Sequence, residues 1–126
     1  MPFTGAEMMS ATKIKLQERW GIDLDLVGRE LCVPSETVAR VIRNSLASTE
    51  DSLEQLSVAI AGGDSVAVGR ISHELRGVYA NLRIAPLVDV ARRMEETVRS
   101  DVAEDGLSGL LAEFRDKFGA LKDIFG

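Results

Sequence analysis

Cysteine and histidine each occur once in this chain, and tryptophan and tyrosine once each. A lone Cys32 cannot close an internal disulfide, and one cysteine with one histidine cannot build an ordinary zinc site, so no metal site is expected. A reducing compartment is the simplest setting for such a chain. Proline is scarce, with three residues, and aromatics make up 5% of the sequence. No stretch approaches the run of about 20 apolar residues that a transmembrane helix needs, so no membrane role is expected. The N-terminal MPFTGAEMMS lacks a basic segment followed by an apolar one and does not read as a signal peptide; a cytoplasmic location follows as the expectation. Also missing is any excess of positive charge. The formal net charge is −5, which argues against a general nucleic-acid binder, whose footprint would be basic.

What is present is helical. Hydrophobic residues make up 45% and charged residues 28% of 126 residues, the balance of a globular protein long enough to bury one core. A single domain over residues 1–126 is therefore expected. Residues 6–20 can form a helix, although Ile14 and Leu16 alternate as they would in a strand. Gly21 breaks the pattern, and a short helix fits 23–31, with Pro34 behind it. Ser35 is a good N-cap for a long helix reaching about Ala61, with Val38, Ile42, Leu46, Leu53, Leu56 and Ile60 recurring at threes and fours. Gly62-Gly63 ends that helix, and Asp64 can cap the next, over about 65–83. Pro86 suits the first turn of a further helix carrying Leu87, Ala91, Met94 and Val98 on one face. After the polar SDVAEDG, a final helix carries Leu107, Leu111, Phe114, Phe118, Leu121 and Phe125 in a continuous apolar seam. Four amphipathic helices on short loops hide their stripes only by packing together. The spacing thus predicts an all-α protein, an antiparallel four-helix bundle with one or two short helices in an N-terminal extension at about 6–31.

The helix at 65–83 contains the only histidine. Its stripe of Val68, Ile71, Leu75, Val78 and Leu82 faces the core, and at about 100° per residue His73 falls nearly opposite. The side chains sharing that surface are Gly69, Arg70, Arg76, Gly77 and, a turn further, Ala80. Each glycine costs a helix about 1 kcal/mol relative to alanine. One reading is that they clear space for a partner to approach the imidazole, with two guanidinium groups ready for phosphate oxygens. Such a histidine suits phosphoryl acceptance: a neutral ring nitrogen attacks and fixed positive charge stabilises the transferring group. On spacing alone, an exposed histidine with accidental neighbours, or glycines that serve helix crossings, also fits.

The segment His73-Glu74-Leu75-Arg76-Gly77-Val78-Tyr79-Ala80-Asn81-Leu82-Arg83 resembles the motif of histidine-containing phosphotransfer (HPt) domains, roughly His-x-Leu-Lys-Gly-Ser-Ser/Ala-Ala-Asn-Leu-Gly. It matches at His73, Leu75, Gly77, Ala80, Asn81 and Leu82. LEQLSVAIAGGD upstream and LVDVARRMEE downstream are similar to the family's flanking helices, so the motif-bearing part spans about 35–100, with likeness of architecture alone beyond it. The resemblance implies a four-helix bundle with an exposed histidine, acting as an intermediate in a multistep two-component phosphorelay. His73 would accept a phosphoryl group from an aspartate of one receiver domain and pass it to another. Arg76 would take the place of the family's lysine in stabilising phosphoryl oxygens, with Arg70 a weaker candidate. Gly77 would keep the imidazole accessible, while Gly69 and Ala80 help form the docking surface. The implied partners are receiver domains of hybrid histidine kinases and response regulators, with the chain a monomer. No cofactor of its own is implied, the Mg²⁺ of the transfer belonging to the receiver. No nucleotide-binding loop is present, so a carrier without kinase activity is expected. The sequence departs from the family at Arg76, Val78, Tyr79 and Arg83. Val78 is placed on the buried stripe, Tyr79 near its edge, and Arg83, where the family has glycine, is expected to change how the helix ends.

A second reading comes from residues 25–44, DLVGRELCVPSETVARVIRN, which resemble the helix-turn-helix of some bacterial repressors. There Ser35, Thr37 and Arg40 would face the major groove. Glu36 and the net acidity oppose it, as does a helix that runs on to about Ala61. Pairing Cys32 with His73 as nucleophile and base has no support in their spacing. Arg92-Arg93 followed by Glu95-Glu96 reads as a solvated helix face.

Overall fold

The computed structural model describes residues 5–100 and 105–125. Among these there are six α-helices and no strand: α1 (Gly5–Trp20), α2 (Leu24–Leu31), α3 (Ser35–Ala61), α4 (Ser65–Asn81), α5 (Ala85–Arg99) and α6 (Asp105–Phe125). The polar stretch before the last helix lies partly outside the described residues.

Local chemistry sets most of the boundaries. Gly21, at φ +65°, turns the chain out of α1. Asp23 caps α2, its carboxylate accepting from the backbone N–H groups of Asp25 and Leu26 at 3.1 Å each. A Cβ on Gly28 would sit 2.6 Å from the Val33 carbonyl oxygen, so only glycine permits the close turn from α2 into α3. The expected cap of α3 is corrected here. Pro34 occupies the N-cap and Ser35 is the first helical residue; the Ser35 hydroxyl instead donates to Asp25 and ties α3 to α2. Asp64 caps α4 as the sequence suggests, accepting from the Ala67 N–H at 3.1 Å. Pro86 lies in the first turn of α5.

Helix α3 packs on α4, α4 on α5, α5 on α6, and α6 returns to α3. Because three-residue links join α3 to α4 and α4 to α5, these packed neighbours must run antiparallel. At 1.5 Å per residue the 27 residues of α3 span about 40 Å and the 17 of α4 about 25 Å, so α3 outreaches its neighbour. Its first turns are covered by α2, and α1 leans on α6. Leu16, Ile22, Leu24 and Val27 of this N-terminal pair are buried with the bundle core.

The stripe of α4 differs from the expectation at one step. Tyr79 is fully buried, whereas Val78 is 40% exposed. Eleven residues make almost three full turns, which puts Tyr79 within about 20° of Val68, while Val78 falls about 80° away. The Tyr79 hydroxyl shares a 2.6 Å hydrogen bond with Thr49 on α3, and its ring meets Phe114 of α6 edge-on at 6.1 Å. Burial raises the phenol pKa above its ordinary value.

Candidate functional site

His73 stands on the outer face of α4 with its side chain 66% exposed. The apolar stripe behind it holds that direction, since Val68, Ile71, Ser72, Leu75 and Tyr79 are all buried. Gly77 has no atom within 4 Å of where a Cβ would be, so the space beside the imidazole on that side is open. Gly69 is different. A Cβ there would lie 3.7 Å from a Val98 methyl on α5, so this half-buried glycine borders a helix crossing and not the clear approach that its symmetric spacing suggests.

The cations also divide. Arg76 turns towards α5, whereas Arg70 points away and pairs with Glu74 one turn on, at 3.5 Å. Arg76 Nη2 is 3.4 Å from His73 Nδ1, and its Nε is 3.2 Å from Glu95 Oε1. Ala80 is exposed on the same side of α4.

Glu95 corrects the reading of 92–96 as a plain solvated face. It is 3% exposed, and its carboxylate gathers three partners. His73 Nδ1 lies 3.3 Å from Oε1, Arg76 Nε 3.2 Å from the same oxygen, and Arg99 Nη2 3.3 Å from Oε2. The two contacts to Oε1 are close in distance but out of line, leaving that buried oxygen without a well-aligned hydrogen bond. A buried carboxylate is tolerated where cations surround it, and here they are drawn from α4 and α5 together. The sequence held a faint signal. Glu95 follows Ala91 by four and precedes Val98 by three, at the margin of the α5 stripe. Its neighbours behave as expected of surface charges: Arg92 pairs with Asp89 and Glu96, at 2.6 and 2.8 Å, and Arg93 crosses to Glu113 on α6.

Arg83 holds a further correction. It takes φ +63°, the left-handed conformation in which glycine is at ease, so the helix ends as a glycine would end it. Its guanidinium supplies what a glycine cannot. Nη1 donates to the carbonyls of Ala80 and Asn81 at 3.2 and 3.0 Å, and Nη2 pairs with Glu30 on α2 at 3.2 Å.

A family model described as the Hpt domain matches residues 40–124. The chain belongs to that family. The match covers nearly all of α3 and the whole of α4 and α5, and reaches through α6 further than the motif alone suggested. Helices α1 and α2 lie outside it. Hpt domains are helical phosphotransfer carriers of phosphorelays, partners of receiver domains and kinases and without kinase activity of their own. Neither the search of curated proteins nor that of solved structures returns a match. No described helix of this Hpt protein is long and apolar enough to cross a membrane.

The helix-turn-helix stretch does fold as two helices and a tight turn, α2 into α3. Of its three proposed base-reading residues, Ser35 is held by Asp25 and Thr37 is half-buried, leaving Arg40 exposed beside Glu36. Cys32 is exposed at the C-cap of α2, in the turn that precedes α3.

Proposed function

We propose that His73 is the phosphoryl carrier of this Hpt protein, taking the group from a receiver-domain aspartate and delivering it to another. The observation that carries this reading is the exposed imidazole whose Nδ1 lies 3.3 Å from the buried Glu95 carboxylate. A proton on Nδ1, favoured by the Glu95 charge 3.3 Å away, leaves the lone pair on Nε2, the nitrogen free to attack. The Nε2–phosphorus bond forms as the phosphorus–oxygen bond of the aspartyl phosphate breaks. The aspartate leaves as carboxylate, and the Nδ1 proton stays beside Glu95. The same Nδ1 lies 3.4 Å from Arg76 Nη2, a group that can only donate. While Nδ1 accepts from Arg76 the proton sits on Nε2 and blocks attack, so transfer needs the tautomer whose Nδ1–H faces Glu95. Glu95 is thus a positioning residue, selecting the reactive tautomer and holding Arg76 where phosphoryl oxygens will arrive. Arg76 stabilises the charge of the transferring group, with Arg70 a more distant contributor. Gly77 leaves the approach open.

The test is transfer of label from phosphorylated receiver domains, tried across the full set of the source organism. Acid-labile label on the wild type and none on His73→Gln is the expected result. No label from any receiver, or equal label on His73→Gln, would sink the reading.

A further inference from the structure

Ala80 belongs to two features at once. It is exposed two turns of α4 beyond His73, about 10 Å along the helix, and it lines a shallow groove of about 400 Å³ with Arg83, Ala85, Val88, Asp89 and Arg92. The floor is apolar, made by Ala80, Ala85 and Val88; the rim is charged. A partner domain that buries a standard interface covers about 800 Å² of this surface, a patch roughly 30 Å across. Any domain seated closely enough to react with His73 therefore lies over this groove as well. The wall nearest α2 is Arg83, in a left-handed conformation unfavourable to any residue with a Cβ. Its guanidinium is fixed by the Ala80 and Asn81 carbonyls on one side and by Glu30 on the other. Glu30 comes from a helix outside the Hpt match.

We propose that this groove is a specificity pocket that receives an apolar side chain of the receiver domain docked at His73, and that Glu30 holds Arg83 as its wall. The proposal rests on the phosphocarrier reading above and goes further, by assigning partner choice to a feature the catalytic histidine does not touch. Continuity through Ala80 selects the occupant, since the groove opens on the same side of α4 as the imidazole and is floored by methyl groups. Its charged rim of Asp89, Arg92 and Arg83 discriminates among receivers by the charges around the inserted side chain.

The experiment is single-turnover transfer from a phosphorylated receiver that labels the wild type, with receiver concentration varied. Ala85→Gln, at the start of α5 and exposed, fills the groove. Glu30→Ala releases the wall without touching it. The receiver concentration giving half-maximal rate is expected to rise about tenfold in Ala85→Gln, the change that loss of one central apolar contact produces, and several-fold in Glu30→Ala. The rate at saturating receiver stays near that of the wild type. Ala112→Gln, exposed on α6 across the bundle from α4, is the control and leaves the half-maximal concentration unchanged. Unaltered half-maximal concentrations in both groove variants, or an equal rise in Ala112→Gln, would overturn the groove while leaving His73 as carrier. Failure of the wild type to accept label from any receiver removes both proposals together. Circular dichroism of each variant separates misfolding from lost docking, and two variants at different positions keep the outcome readable if one fails to fold.

Discussion

Gly69 and Gly77 stand four residues either side of His73, yet only Gly77 borders open space. Replacing Gly77 with glutamine improves helix propensity by roughly half a kcal/mol while placing a side chain where a partner must approach. The Gly77→Gln protein is expected to melt slightly higher than the wild type and to accept label from a receiver at least about tenfold more slowly, since small misplacements of reacting groups lose large factors in rate. A variant both more stable and equally fast would remove Gly77 from the site. Glu95 allows a sharper comparison at the same scale. Glutamine retains an oxygen able to accept from Nδ1 once the two groups align, whereas alanine leaves Nδ1 to Arg76. Glu95→Gln should keep most of the transfer rate, and Glu95→Ala should lose about tenfold, the scale of one hydrogen bond. The ¹⁵N shifts of the His73 ring should show protonated Nδ1 in the wild type and in Glu95→Gln, and a move towards protonated Nε2 in Glu95→Ala. A purely structural Glu95 would leave the tautomer alone.

At the level of helices, the sequence was legible wherever a single helix decides the outcome. The bounds of α3, the Asp64 cap and the Pro86 start all follow from residues within a few positions of each other. Tyr79 was within reach of the same arithmetic, because its turn of α4 is fixed by Val68 and Leu75. Glu95 was not, because its burial is set by the fit of α5 against α4 and the approach of Arg76 and Arg99, which no local pattern records. Ser35 shows the same limit: a residue suited to capping its own helix is claimed by Asp25 from the one before. Arg83 lies between these cases. Its departure from glycine is visible in the sequence, but the guanidinium contacts that compensate come from α2 and from the end of α4. This yields an ordered prediction. Arg83→Gly and Arg83→Ala both lose the bonds to the carbonyls and to Glu30, but only glycine accepts φ +63° without strain. Chemical denaturation should find Arg83→Ala the less stable of the two by about 1 kcal/mol. Equal stabilities would mean that the turn relaxes out of the left-handed region once the guanidinium is gone.

For the molecule as a whole, the same groups that join the helices set how stability varies with pH. Glu113 on α6 is held below the ordinary carboxylate range first by Arg93 of α5 and then by Lys117. Asp89 is lowered chiefly by Arg92, and Asp25 chiefly by the Ser35 hydroxyl. A carboxylate with a depressed folded pKa adds stability above its unfolded value, near 4, and that stability is lost as pH falls through the folded pKa. Tyr79 acts at the other end. Its neutral phenol is favoured by burial, so its contribution is complete below pH about 10 and is lost as pH rises through the raised folded value. Stability should therefore be level between about pH 5 and 9 and fall on both sides. These carboxylates are exposed, so each contributes modestly on the acid side. Arg93→Gln should make the acid decline shallower and leave the alkaline one as it was. Tyr79→Phe should lower the plateau by about 1–3 kcal/mol, because the buried Thr49 hydroxyl loses its partner, and should flatten the alkaline decline, this being the chain's single tyrosine. Denaturant midpoints measured from pH 3 to 11 would decide it. An alkaline decline equally steep in Tyr79→Phe would place its origin in the lysine ion pairs, Lys117 with Glu113 among them, and not in the phenol at the centre of the bundle.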